Sequence, residues 1–265
     1  MATSRKQLAD QLKEARVKAG FSTQAALARE LKIVRPVISK AENHQYPPPS
    51  VEVVTAWAKA TRKPVDPWLD LMERCKSGTP DWFMPYATAE AAATSLRFWG
   101  PLLVPGVIQT EAYATELLTI EGNSGNRLSE LVTARMDRQV VIGRTRIVAV
   151  VDYTVLQRDL GSPALMAEQC DRLVKLADDN AIRIHVVPRG ANIGLYGAFG
   201  IASRDSRVTV NLTSIRDVTS TDPELVEECL SAFDDILAAA LPRRDSVDYI
   251  RTQADQWRDQ GHELA

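Results

Sequence analysis

Cysteine and histidine are both scarce in this 265-residue chain, and each scarcity removes a class of function. The three cysteines, Cys75, Cys170 and Cys229, lie far apart, are odd in number and fall at apolar helical positions. They read as buried free thiols rather than as disulfides or metal ligands. The three histidines, His44, His185 and His262, have no ligand-like spacing, so no metal and no cofactor is expected. No GxGxxG, GKS/T, HExxH or GxSxG occurs, and no nucleophile with its base is legible, so no catalytic residue is assigned and an enzyme is not expected. No apolar run approaches the roughly 18 residues that a membrane span requires. The opening MATSRKQLADQ has no apolar core of the signal-peptide kind, and a cytoplasmic protein is the expectation.

The composition, 45% apolar and 25% charged, is that of a globular chain long enough for about two domains. The formal net charge of −2 conceals an asymmetry. Residues 1–78 carry 14 Lys+Arg against 8 Asp+Glu, a net of +6; the remaining 18 against 26 give −8. A basic head on an acidic body suits a module that meets phosphates joined to one that meets a protein or ligand.

The head reads as five helices. Leu8, Leu12, Ala15 and Ala19 recur at helical spacing over residues 4–18, and Gly20 stops the run. Ser22 and Thr23 are cap candidates for a helix carrying Leu27, Ala28 and Leu31 inward, with Gln24 at its first position. After residues 32–34 a short helix begins near Arg35 and Pro36, with Ile38 and Ala41 inward. Tyr46 and residues 47–49 break the chain. Ser50 then caps a helix with Val54, Trp57, Ala58 and Thr61 on one side, and a last helix from Pro67 gathers Trp68, Leu71, Met72 and Cys75.

Residues 23–44 are the helix-turn-helix of this bundle. Its second helix leaves Arg35, Val37, Lys40 and Asn43 on a face the core does not use, which suits a DNA major groove. Arg35 and Lys40 match guanine O6/N7, Val37 a thymine methyl, and Pro36 offers apolar contact alone. Gln24 can turn its amide onto a phosphate. The bland alternatives are an αα-hairpin with a solvated cationic face, and Asn43 as a helix C-cap.

The stretch LARELKIVRPVISKAENHQYPPPSVEVVTAWAKAT resembles the Xre or Cro/C1-type helix-turn-helix family, which implies DNA contacts at Gln24, Arg35, Pro36 and Lys40. Three positions depart from it: Lys32 replaces the turn glycine, Val34 the Ser or Thr cap, and Ala41 a larger aliphatic residue. Lys32 is therefore expected near the left-handed region at some cost.

The Gly- and Pro-rich residues 76–88 mark the junction between a 1–76 DNA-binding domain and a 77–265 regulatory domain, with Trp82, Phe83, Met84 and Tyr86 expected to pack. The overall class is α+β, an all-α head followed by a mixed body, helical over 88–143 and built on a mixed sheet with helices over 144–265. An Ala-rich helix is expected from Thr88 to about Leu96, then a turn at Pro105-Gly106 and a helix capped by Thr110 with Ala114 and Leu117 or Leu118 inward. Residues 147–151 and 182–187 read as parallel strands around a helix over 163–177, and 199–203 with 208–212 as a hairpin added to their sheet. A helix over 223–241 carries Val226, Cys229, Leu230, Phe233, Leu237 and Leu241; the final one carries Val247, Ile250, Ala254 and Trp257.

The stretch PLLVPGVIQTEAYA is similar to the PGLLQTexYA signature of an actinobacterial domain that follows an Xre-type helix-turn-helix in antitoxin-like and WhiJ-like regulators; Thr115 stands where that signature has Arg. The similarity continues through ARMDRQ at 134–139 and AALPRRDSVDYI near the end. It implies a transcriptional regulator acting on double-stranded DNA, a homodimer, with a body that binds a small basic partner protein encoded nearby. The competing expectation is a small-molecule pocket in the body. Within that body Arg135, Arg138 and Gln139 form either an anion or acidic-partner site or a solvated face. Gly190, Gly194, Gly197 and Gly200, around Leu195 and Tyr196, form either a ligand cradle or a turn between strands. Glu224, Glu227, Glu228, Asp234 and Asp235 read as the outer side of their helix.

Overall fold

The computed structural model describes residues 4–43, 48–76, 83–191, 196–213 and 217–263. Contacts divide the chain into two compact units, Met1–Asp81 and Trp82–Ala265. His44, Tyr46, Pro47, Trp82, Gly194 and Leu195, all named above, lie outside the described residues.

The first unit is a five-helix bundle: α1 (Ser4–Lys18), α2 (Gln24–Glu30), α3 (Arg35–Ala41), α4 (Val51–Thr61) and α5 (Asp66–Lys76). Leu8, Leu12, Ala15, Leu27, Ile38, Val54, Trp57, Leu71 and Met72 share one core, an apolar stripe from each helix. The caps are local. The Thr23 hydroxyl accepts from the Ala26 amide at 3.1 Å, and the Ser50 hydroxyl from that of Val53 at 3.4 Å. At the end of α1, Gly20 has φ +89 and the Phe21 amide donates to the Arg16 carbonyl, which is the backbone pattern that terminates many helices at glycine. One expectation is corrected here. Ala19 lies outside the helix and is exposed, and the position that closes the buried stripe is Arg16, 5% exposed.

The second unit is built on a six-stranded sheet of β1 (Ser95–Gly100), β2 (Arg146–Asp152), β3 (Arg183–Val187), β4 (Phe199–Arg204), β5 (Arg207–Leu212) and β6 (Val218–Ser220). The spatial order is β3-β2-β1-β4-β5-β6. β1 runs parallel to β2, and β2 to β3, whereas β4, β5 and β6 continue from β1 antiparallel. Eight-residue or longer helices cover the sheet: α6 (Met84–Ala92), α7 (Glu111–Ile120), α8 (Gly125–Asp137), α10 (Pro163–Asp178), α11 (Pro223–Ala239) and α12 (Arg243–Glu263), with a short α9 (Tyr153–Gln157) after β2.

The strand pleat sorts side chains between two cores. Leu96, Phe98, Ile147, Ala149, Val151, Ile184 and Val186 meet residues of α6, α7, α10 and α12. Trp99, Val150, Val187, Ile201 and Val210 point the other way and meet Cys229, Phe233 and Ile236 of α11. At the β3 edge the Val186 amide donates to the Ser246 hydroxyl at 3.0 Å and its carbonyl accepts from Leu241 at 2.9 Å, so the α11–α12 connection closes that edge.

One expectation for this unit fails. The span 88–143 is not continuously helical: the helix expected over 88–96 is α6, ending at Ala92, and β1 follows it as a central strand. Because β1 is covered on both faces and only six residues long, its short apolar run is indistinguishable by period from a helix end. In α11 Cys229, Ala232, Phe233 and Ile236 are buried and Val226, Leu230 and Leu237 pack partly buried against the same core, so the expected stripe holds within the helix, while Leu241 lies beyond its end and packs against the other core.

Candidate functional site

Three backbone features present the outer face of α3. The Lys32 amide donates to the Arg29 carbonyl and that of Ile33 to the Ala28 carbonyl, with Lys32 at φ +54. This is a glycine-type helix terminator occupied by lysine, as its placement in the turn implied. Val34 precedes α3 without a side-chain cap and is 67% exposed. Pro36 then fixes the first turn of α3, where a missing N–H costs nothing.

Underneath, a buried ion pair ties three helices together. Arg16 of α1 donates from Nε to Glu42 Oε1 at 2.5 Å and from Nη2 to Oε2 at 3.0 Å, with side-chain exposures of 6% and 3%. Its Nη1 donates to the Phe21 carbonyl at 2.8 Å, and Gln24 Nε2 donates to Glu42 Oε2 at 3.0 Å. A bidentate guanidinium–carboxylate pair fixes orientation as well as distance, so Glu42, just past α3, sets the rotation of that helix against α1 and α2. Gln24, expected on a phosphate, has one amide hydrogen engaged in this way.

The outward residues of α3 then sort by burial. Arg35, Pro36, Ser39 and Lys40 are exposed, Val37 and Asn43 are half-buried, and Ile38 and Ala41 are buried. A cleft of about 550 Å³ between α1, α2 and α3 is lined by Lys13, Ser22, Gln24, Ser39 and Asn43 above the Arg16–Glu42 pair. Gln24, Arg35, Pro36, Val37, Lys40 and Asn43 thus fall on or beside one surface. Sequence reasoning overlooked Lys13, Ser22 and Ser39 there, and also the Arg16–Glu42 pair; the missed signal was Arg16 standing four residues after Leu12, on the buried stripe.

A second polar constellation occupies the second unit. Arg138 donates from Nε to Glu90 Oε1 at 2.7 Å and from Nη2 to Oε2 at 3.0 Å, and its guanidinium lies 4.4 Å over the Phe83 ring. Arg135 Nη1 donates to Gln109 Oε1 at 3.2 Å, Gln139 Nε2 to the Gln109 carbonyl at 2.6 Å, and Arg172 Nη2 to Gln139 Oε1 at 3.1 Å. The fully buried Gln169 accepts from the Thr110 amide at 2.8 Å and donates to the Ile108 carbonyl at 3.1 Å. The solvated-face reading of Arg135, Arg138 and Gln139 is therefore corrected: all three are half-buried and engaged. The two sequence stretches with family resemblance, 101–114 and 134–139, meet through Gln109. Tyr196 is elsewhere, 39% exposed, its carbonyl accepting from Trp99 Nε1 at 3.1 Å. Of the glycines beside it, Gly190 has φ +83 after β3, whereas Gly200 is inside β4, where a Cβ would sit 2.3 Å from the Tyr86 hydroxyl.

Burial governs the ionisable groups of this unit. It pushes the Cys170 thiol up to about 12 and raises that of Cys229, so neither is a thiolate at neutral pH. It raises the Tyr86 hydroxyl well above the usual phenol range, with the Glu90 carboxylate adding to the effect. Among the described residues no group of three or more His, Cys, Asp or Glu side chains is placed to hold a metal ion, and no helix is long and apolar enough to cross a membrane.

No curated protein matches the chain. A family model described as Domain of unknown function (DUF5753) matches residues 83–252, from the start of α6 into α12 and through the whole sheet. As that match spans more than half of the 265 residues, the chain belongs to the DUF5753 family.

Proposed function

We propose that the protein is a DNA-binding transcriptional regulator of the Xre helix-turn-helix type, antitoxin-like, whose first unit reads operator DNA and whose DUF5753 unit binds a partner protein, mediates dimerisation, or both. The observation that carries the first half is the exposed face of α3, Arg35, Pro36 and Lys40, on a helix whose rotation is fixed by the Arg16–Glu42–Gln24 network. A seven-residue helix has room for two or three base contacts, and its cationic side chains match guanine edges while Val37 reaches a thymine methyl. Gln24, at the start of α2, keeps a second amide hydrogen for a phosphate, and the net +6 of residues 1–78 supplies the sequence-independent attraction.

Two such heads on a pseudo-palindrome require half-sites roughly 34 Å apart, one helical turn. A gel shift on the DNA upstream of the protein's own gene is expected to give a complex whose affinity falls with salt. Arg35→Ala is expected to cost about 1–3 kcal/mol and to relax preference at one base pair, and Lys40→Ala to weaken binding and reduce the salt slope. Binding unchanged by both substitutions would sink the assignment of α3 as the reading helix.

The partner half rests on the net −8 of residues 79–265. Such a surface favours a basic partner and repels DNA, leaving phosphate contact to the first unit. Co-expression with small basic proteins encoded beside this gene, followed by pull-down at two salt concentrations, tests it; absence of a salt-sensitive complex counts against it.

A further inference from the structure

We propose that the second unit carries an oxyanion-binding site, for a carboxylate or phosphate group, centred on Arg135 and flanked by Arg172 beside Gln139. Arg135 and Arg172 are joined through Gln109 and Gln139 into one hydrogen-bonded network, and Arg138, paired with Glu90, lies with Arg135 over Gly106. Among the described residues the one carboxylate within ion-pair distance of any of the three is Glu90, and both its oxygens are taken by Arg138. Arg135 and Arg172 each spend one N–H on a neutral amide oxygen, although a guanidinium carries five.

Withdrawing a cation from water without a counter-charge is unfavourable, and the cost falls on Arg135. Its burial disfavours the charged form, and the neighbouring Arg138 does so next; Glu121, exposed at the end of α7, acts the other way from beyond ion-pair distance. The carbonyl end of α8 offsets part of the charge, but within one helical turn only.

The surroundings make this a built site rather than a surface patch. Gln109 and Gln169 are 2% and 0% exposed and form a floor that the side chains cannot leave without orphaning buried amides. Arg135, Gln139 and Arg172 stand half-exposed in front of it, within reach of solvent. A Cβ on Gly106 would lie 3.4 Å from Arg138 Nη1 and 3.9 Å from Arg135 Cδ, so both arginine arms lie over that glycine. Forks held this way meet an incoming oxyanion with little loss of side-chain freedom.

The test is thermal unfolding of the full chain in inorganic phosphate, in acetate and in chloride at matched ionic strength. One of the two oxyanions is expected to raise the midpoint by about 3–6 °C over chloride at tenfold its dissociation constant, the size of the difference between them telling phosphate from carboxylate. Arg135→Gln is expected to abolish that gain and Arg172→Gln to reduce it, while in chloride Arg135→Gln melts no lower than the parent chain. The Arg35→Ala/Lys40→Ala double variant controls for anions at the first unit and keeps the full gain. A gain that survives both Arg135→Gln and Arg172→Gln is general salting-out, and it overturns the site. So does a gain lost in the Arg35→Ala/Lys40→Ala variant, or no gain at all. The outcome is independent of the gel shift, so either reading can fail alone.

Discussion

Each unit contains a bidentate Arg–Glu pair with a glutamine beside it, and the two pairs have opposite surroundings. In the first unit Arg16 and Glu42 neutralise each other under 6% and 3% exposure, and every further hydrogen bond goes to Gln24 or the Phe21 carbonyl. In the second, Arg138 and Glu90 also neutralise each other, but next to them Arg135 and Arg172 hold only Gln109 and Gln139, without a second carboxylate. The first arrangement neutralises its charge inside the bundle, beneath the exposed cationic side chains of α3. The second leaves positive charge within its own network. A buried ion pair in the first unit is thus a fastener, and in the second the fastened part of a larger cationic group.

The comparison breaks most visibly if the carboxylates are removed. Glu42→Ala leaves Arg16 buried and unpaired, which is expected to cost about 3–5 kcal/mol. Glu90→Ala is expected to cost as much or more, because it strands the Arg138 guanidinium beside that of Arg135. Denaturant unfolding followed by Trp fluorescence checks both, each substitution acting on the transition of its own unit. A smaller effect is expected from Gly200→Ala, whose methyl would meet the Tyr86 hydroxyl at 2.3 Å. Overpacking of this kind costs about 1–3 kcal/mol, and the loss should shrink in a Gly200→Ala/Tyr86→Phe double variant, the remainder coming from the ring carbon at 3.0 Å and Phe98 at 3.2 Å.

Two substitutions should stabilise the first unit alone. Val34→Ser supplies the missing acceptor at the start of α3 and is expected to add about 1 kcal/mol. Lys32→Gly removes a side chain from a φ of +54 and is expected to add up to about 1 kcal/mol, the smallest of these effects because the unfolded chain also gains freedom. Melting curves that place both variants below the parent would mean that the turn is not the weak point of this bundle.

Local rules made the first unit legible. Its signals are local, as in the cap at Thr23, the stop at Gly20 and the apolar face of Val54, Trp57, Ala58 and Thr61. Its fastener was not legible, because Arg16 and Glu42 are 26 residues apart and each alone looks like a surface charge. In the second unit the same limit reached further. The strands β2 to β5 announce themselves by β-branched runs, whereas β1, with Arg97 and Gly100 in six residues, is defined by its neighbours. The internal pairing of Arg138 is not legible because Glu90, its partner, lies 48 residues away on a helix with no charge pattern of its own. The outer residues of α3 were found because a helical period predicts what is left over as well as what is buried.

The place of β1 also sets an order of assembly. The bundle is complete in sequence at Lys76, but β1 needs β4, which ends at Arg204, before both its edges are paired. Those 128 residues take roughly 6–26 s to synthesise at about 5–20 residues per second. Throughout that interval a nascent chain holds the whole sequence of its helical head while the central strand of its sheet waits for a partner, so the first unit can fold before the second has the residues to do so.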